Sequence, residues 1–175
     1  MSCTEPAPAW LDPGRLRRRF ALAAWGLAVP IAGCAVATAI TAAVTDDDAA
    51  LLFYGNAAVM AWAAVTCVAR VRTVRARVTS SADSLLKTAT GHDGDIRRAA
   101  DDFELCMVGA RSAAGLRILP KKDADTFARD VVREAEAGQL SPTSQSRITL
   151  IARALAPRST RTTEQPPPRA GRASR

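Results

Sequence analysis

FALAAWGLAVPIAGCAVATAITAAVT (residues 20–45), DDD (46–48) and AALLFYGNAAVMAWAAVTCVA (49–69) form one stretch whose only charges are its three central aspartates. The flanking runs, 26 and 21 residues long, each suffice to cross a hydrocarbon core of ~30 Å as a helix. A linker as short as Asp46, Asp47 and Asp48 makes the two helices antiparallel neighbours. Arg15, Arg17, Arg18 and Arg19 stand before the first run, and Arg70, Arg72, Arg75 and Arg77 after the second. Positive residues mark the cytoplasmic side of a membrane. The pattern therefore predicts a hairpin through the cytoplasmic membrane, with both termini in the cytosol and the aspartates outside.

Insertion is favourable in both runs, less so in the second. The first has eight strong contributors (Phe20, Leu22, Leu27, Val29, Ile31, Val36, Ile40, Val44), worth roughly 2–5 kcal/mol together. The second has six (Leu51, Leu52, Phe53, Val59, Val65, Val68), worth roughly 2–4 kcal/mol, against which Asn56 must be set. Asn56 lies two turns inside the outer boundary and reads as an interhelical hydrogen-bonding residue, worth ~0.6 kcal/mol on average. Small residues at four-residue spacing, Ala24/Ala28/Ala32, Ala35/Ala39/Ala43 and Ala57/Ala61, predict close helix packing. Pro30 frees a carbonyl near Gly26. No ionisable side chain lies within either run, which speaks against an ion or proton pathway.

The first run also resembles an export signal. Arg17-Arg18-Arg19-Phe20 is similar to the core of a twin-arginine signal, and Ile31-Ala32-Gly33-Cys34 to a lipobox. Processing there would leave an exported lipoprotein acylated at Cys34. The apolar run continues for eleven residues beyond Cys34, and a second run with its own arginines follows, so the hairpin is the expected arrangement.

Charge is unevenly divided. The net charge is +7, yet residues 80–157 carry eleven basic and eleven acidic side chains. The excess lies in the two arginine clusters and the tail. Each arginine near an anionic lipid surface is worth ~1 kcal/mol, so anionic headgroups are the expected partners. Arg70, Arg72, Arg75 and Arg77 point around a helix rather than along one face, which suits snorkelling in several directions.

Beyond the second run the helix meets no stop signal and is expected to continue to Val78. Val71, Val74, Val78 and Leu85 fit a heptad with Ser81 in the remaining place. Such a pattern serves either an ordinary helix packed on its own domain, the expected case, or a homodimeric stalk. Gly91-His92-Asp93-Gly94-Asp95 reads as a turn, with Asp95 as N-cap of a helix carrying Ile96, Ala99, Ala100, Phe103, Met107 and Ala110. Pro120 and Asp123 open another, with Ala124, Phe127, Ala128, Val131, Val132 and Ala135 on one face and Gly138 as its stop. Ser141-Pro142 reads as N-cap and first residue of a last helix bearing Ile148, Ile151, Ala152 and Leu155. No run alternates long enough to be a strand.

The fold class expected is thus all-α: a two-helix transmembrane hairpin, a small helical cytosolic domain and a disordered tail. The segments are a disordered N-terminus (1–14), first span with basic flank (15–45), external loop (46–48), second span continuing into the cytosol (49–78), helical domain (79–156) and disordered basic tail (157–175).

Catalytic patterns are missing. His92 is the only histidine, Cys3, Cys34, Cys67 and Cys106 form no C-x-x-C pair, and Asp93-Gly94-Asp95 lacks the rest of a calcium loop. Asp101, Asp102 and Glu104 read as a solvated face. No phosphate-binding glycine loop or nucleophile elbow is present. No cofactor or metal is expected. A helix-turn-helix centred on Gly138 would place polar Arg133, Gln139 and Ser144 inward in a neutral domain, so nucleic acid is a disfavoured partner. The bias toward alanine and arginine points to a bacterial source. The expectation is a non-enzymatic anchor, assembly factor or regulator that holds an unidentified protein partner at the membrane. The alternatives are a membrane-anchored nucleic-acid-binding protein and the lipoprotein.

Overall fold

The structure, a computed structural model, describes residues 8–44, 49–91, 94–113 and 116–156. It is all-helical apart from a two-residue ribbon. Helix α1 spans Pro13–Val44, α2 Ala49–Thr90, α3 Ile96–Arg111, α4 Lys121–Glu136 and α5 Pro142–Leu155. Strands β1 (Ser112–Ala113) and β2 (Leu116–Arg117) pair antiparallel between α3 and α4. Helices α1 and α2 are both long and apolar enough to cross a membrane. Asp46, Asp47 and Asp48, His92-Asp93 and the tail 157–175 lie outside the described residues.

Helix α2 runs to Thr90, well beyond the expected end at Val78. Thr79, Ser80 and Ser81 do not stop it. The Thr79 hydroxyl donates to the Arg75 carbonyl (3.0 Å) and Ser81 to that of Val78 (3.1 Å), so these polar side chains are satisfied within the helix. At 1.5 Å per residue its 42 residues extend about 63 Å, twice the span of a bilayer core. Its second half is therefore part of the helical domain.

The buried stripe of α2 repeats every seven residues, through Ala57, Ala64, Val71, Val78 and Leu85, and α1 answers with Ala28, Ala35 and Ala42. This replaces the four-residue spacing read from sequence: Ala32, Ala43 and Ala61 are exposed. A four-residue step overshoots a helical turn by about 40°, whereas seven residues fall only about 20° short of two turns and stay on the seam. The seam is alanine-lined toward the C-terminal end of α1 and lined by valine and leucine near the domain. The heptad of a stalk is thus filled by the chain's own helices.

Residues 1–14 were expected to be disordered, and from Pro8 onward they are not. Ala9–Leu11 forms a short 3-10 helix in which Leu11 is buried, and Trp10 sets its ring edge-on to Phe127 at 5.9 Å. Leu16 and Phe20 of α1 are buried in the same core as Val78, Leu85, Phe103, Met107, Val131, Ile148 and Leu155. Phe20 therefore belongs to the domain core rather than to the inserting residues. Both ends of the hairpin share one hydrophobic core with α3, α4 and α5.

The helix boundaries of the domain follow local chemistry. Asp95 Oδ1 accepts from the Arg97 amide at 3.0 Å and caps α3. Gly138, at φ +85°, ends α4 by donating its N–H to the Ala135 carbonyl (2.9 Å), a conformation that costs a residue with a Cβ more. Ser141 caps α5, its Oγ accepting from the Ser144 amide at 3.1 Å, with Pro142 first in the helix.

That cap is tied to α4. Glu134 accepts from the Ser141 N–H (2.8 Å), the Ser141 hydroxyl (2.9 Å) and the Ser144 hydroxyl (3.0 Å). Ser144, polar at a position read as inward-facing, is buried and satisfied by this carboxylate. Glu134→Ala is expected to destabilise the domain by about 2 kcal/mol, because it strips acceptors from partly buried donors. Urea denaturation followed by circular dichroism measures it, with Glu134→Gln losing less.

Candidate functional site

The outward faces of α1 and α2 are apolar along both candidate spans. Leu22, Trp25, Val29, Val36, Ile40 and Val44 on α1, with Leu51, Leu52, Val59, Trp62 and Val65 on α2, are each more than half exposed. A soluble helix of this composition would bury such residues. The polar groups within this belt are hidden by the helices themselves: Thr38 donates to the Cys34 carbonyl, Thr41 to Ala37 and Thr66 to Ala63, at 2.8–3.0 Å. Asn56 is different. It lies about 100° from the Ala57 seam, exposed, and among the described residues its side chain makes no hydrogen bond to α1. Cys34 is a free, exposed thiol within the uninterrupted helix α1.

The eight arginines fall into two groups. Arg18, Arg19, Arg70, Arg72 and Arg77 are exposed around the end of the belt nearest the domain, and Arg15 sits 3.7 Å from Asp12 with both side chains largely solvated. Arg17 and Arg75 turn instead to the domain. Arg75 Nε donates to the Leu155 carbonyl at 2.7 Å and its NH2 to Ala156 at 2.9 Å. Arg17 Nε donates to the Ala154 carbonyl at 2.9 Å and its NH2 to Arg153 at 3.2 Å. One arginine from each flank thus closes the carboxyl end of α5, where unpaired carbonyls and the negative end of the helix dipole favour cations. Nothing in the sequence signals this, because the partners are 137 and 80 residues apart.

This clamp joins the hairpin to the domain. Arg75→Ala is expected to speed backbone amide exchange in residues 151–156 about tenfold, equivalent to ~1.4 kcal/mol, close to the lower end of the range for hydrogen bonds to a charged group. Arg17→Ala, at a more exposed site, is expected to do less. Unchanged exchange in both variants would show that the clamp contributes nothing to α5.

Among the described residues of the domain surface, the exposed large apolar side chains are Leu105 and Val108 of α3. Leu105 edges a shallow groove of about 310 Å³ with Arg77, Ser81, Ser84, Asp102 and Cys106. Asp102 thus lines this groove, and Asp101 and Glu104 beside it on α3 make no ion pair among the described residues. Arg111 and Asp125 form an ion pair at 2.7 Å that ties α3 to α4. Among the described residues no three His, Cys, Asp or Glu side chains converge on a metal site.

A second groove, of about 590 Å³, runs between α1 and α2 beside the arginine cluster. Trp25, Val29, Val65 and Val68 form its walls, alanines its floor, and Arg72 and Thr73 its end toward the domain. Comparison with protein-family models, with curated proteins and with solved structures finds no match.

Proposed function

We propose that this chain is a two-span protein of the bacterial cytoplasmic membrane, with both termini in the cytosol, and that it acts without catalysis as an anchor, assembly factor or regulator. The observation that carries the reading is the union of an exposed apolar belt with an arginine cluster at one end and a helical domain built onto that same end. A belt of this breadth in water would cost far more than a soluble fold tolerates. The arginines orient it, since basic residues remain on the cytoplasmic side. The neutral domain then lies in the cytosol against anionic headgroups, and Leu105 and Val108 offer a protein partner its apolar contact.

The orientation is tested in intact cells with a membrane-impermeant thiol reagent. Asp47→Cys in a cysteine-free background is expected to be labelled from outside, and Leu105→Cys only after lysis. The protein is expected to stay with the membrane through alkaline carbonate washing. Labelling of Leu105→Cys in intact cells, or release by carbonate, would overturn the reading. The intact mass of the extracted protein is expected to match a chain uncut at Cys34; a lipid-modified chain beginning at Cys34 would favour the lipoprotein instead. In-cell crosslinking from position 105 is expected to give a specific heteromeric product, and a domain that binds duplex DNA with a steep salt dependence would point to the nucleic-acid alternative.

A further inference from the structure

The geometry points to the groove between α1 and α2 as a binding site for one anionic phospholipid, an acyl chain lying along Trp25, Val29 and Val65 and the phosphate held by Arg72. This rests on the membrane reading above. The groove is apolar throughout its length except at the end toward the domain, where Arg72 stands. Its floor is cut by Ala28 and Ala64, whose small side chains leave space that larger residues would fill.

The axial positions agree with a lipid. Ala64 and Arg72 are eight residues apart on α2, or about 12 Å along the axis, with Arg72 at the boundary where the uncharged run ends. A phosphate at that boundary and a chain directed inward follow the same line as the groove. The charge agrees as well. Unlike Arg17 and Arg75, Arg72 makes no hydrogen bond or ion pair with any described residue. The nearest acidic residues in sequence are Asp48 and Asp83, at least eleven positions away. An unopposed guanidinium at the mouth of an apolar slot selects a ligand with an apolar chain and an anionic head, and a guanidinium can grip phosphate with two parallel hydrogen bonds.

The full-length protein in non-ionic detergent is titrated with phosphatidylglycerol or with phosphatidylcholine of the same acyl chains, and bound lipid is counted by native mass spectrometry. One phosphatidylglycerol per chain is expected, held about fivefold more tightly than phosphatidylcholine, the factor equivalent to ~1 kcal/mol for one arginine at an anionic surface. Arg72→Gln is expected to abolish this preference, and Arg72→Lys, which keeps the charge but not the paired hydrogen bonds, to retain only part of it. Arg70→Gln removes the same charge about 200° around the helix and is expected to keep the preference. Val65→Trp, which fills the slot, is expected to lose both lipids while helical content is retained. Equal binding of the two lipids by the unaltered protein, or an equal effect of Arg72→Gln and Arg70→Gln, overturns the proposal. Carbonate extraction separates the two readings: a protein that stays in the membrane but shows no preference sinks the groove alone, and one that is released sinks the membrane reading too.

Discussion

Val59→Arg is expected to expel the second span from the bilayer. Val59 sits near the middle of the uncharged run 49–69, two-thirds exposed on the outward face of α2, so an arginine there cannot hide against α1. The six large apolar residues of this run supply roughly 2–4 kcal/mol toward insertion, and an arginine at the centre of a span costs roughly 2.5–3.5 kcal/mol. The sum passes from favourable to about zero or beyond. In the first run, which keeps seven such contributors with Phe20 assigned to the domain core, Val36→Arg is expected to do less. The readout is the thiol label at position 105, which becomes accessible from outside when the second span fails. Val59→Leu serves as the conservative variant and Ala76→Arg as the charge control outside the span. Continued protection of position 105 in Val59→Arg would show that pairing with α1 outweighs the cost of the charge.

Phe103→Ala is expected to destabilise the domain severely while leaving the hairpin in place. Phe103 is fully buried on α3, and its ring meets Phe127 of α4 edge-on at 6.3 Å. Truncating a buried phenylalanine costs roughly 3–5 kcal/mol through lost transfer energy and the cavity left behind. That is a large share of the stability of a small domain, ~5–15 kcal/mol. A melting-temperature loss of about 15–30 °C follows for a unit of this size. It is measured by near-ultraviolet circular dichroism in detergent, with carbonate-resistant membrane association retained. Leu105→Ala, two residues away but largely exposed, is expected to change stability by no more than ~0.5 kcal/mol. Similar losses in the two variants would contradict the assignment of Phe103 to the core.

These two variants probe features that were legible to different degrees. The apolar runs and their arginines were readable because insertion depends on composition summed over ~20 residues, which needs no tertiary knowledge. The helix starts at Asp95 and Ser141 and the stop at Gly138 were readable because capping is satisfied within a few residues. The extent of α2 was not, since Thr79 and Ser81 break the apolar pattern and only the structure shows their hydroxyls bonded within the helix. The order of the N-terminal segment from Pro8 onward was hidden for a related reason. Trp10 and Leu11 are too few to show a periodicity, and their burial depends on distant parts of the chain, the ring of Phe127 against Trp10 among them.

By itself, then, the sequence determined two candidate spans, the arginines at their ends and a set of amphipathic helices, because hydrophobic length, charge and capping are local properties. Only the tertiary structure decided that the seam repeats every seven residues, that Asn56 turns away from it, and that Arg17 and Arg75 close α5 while Arg72 stands at an apolar groove. Those depend on which helices meet and at what rotation. A difference of about 100° between neighbouring residues, invisible in composition, separates a cation bound to its own domain from one left facing outward.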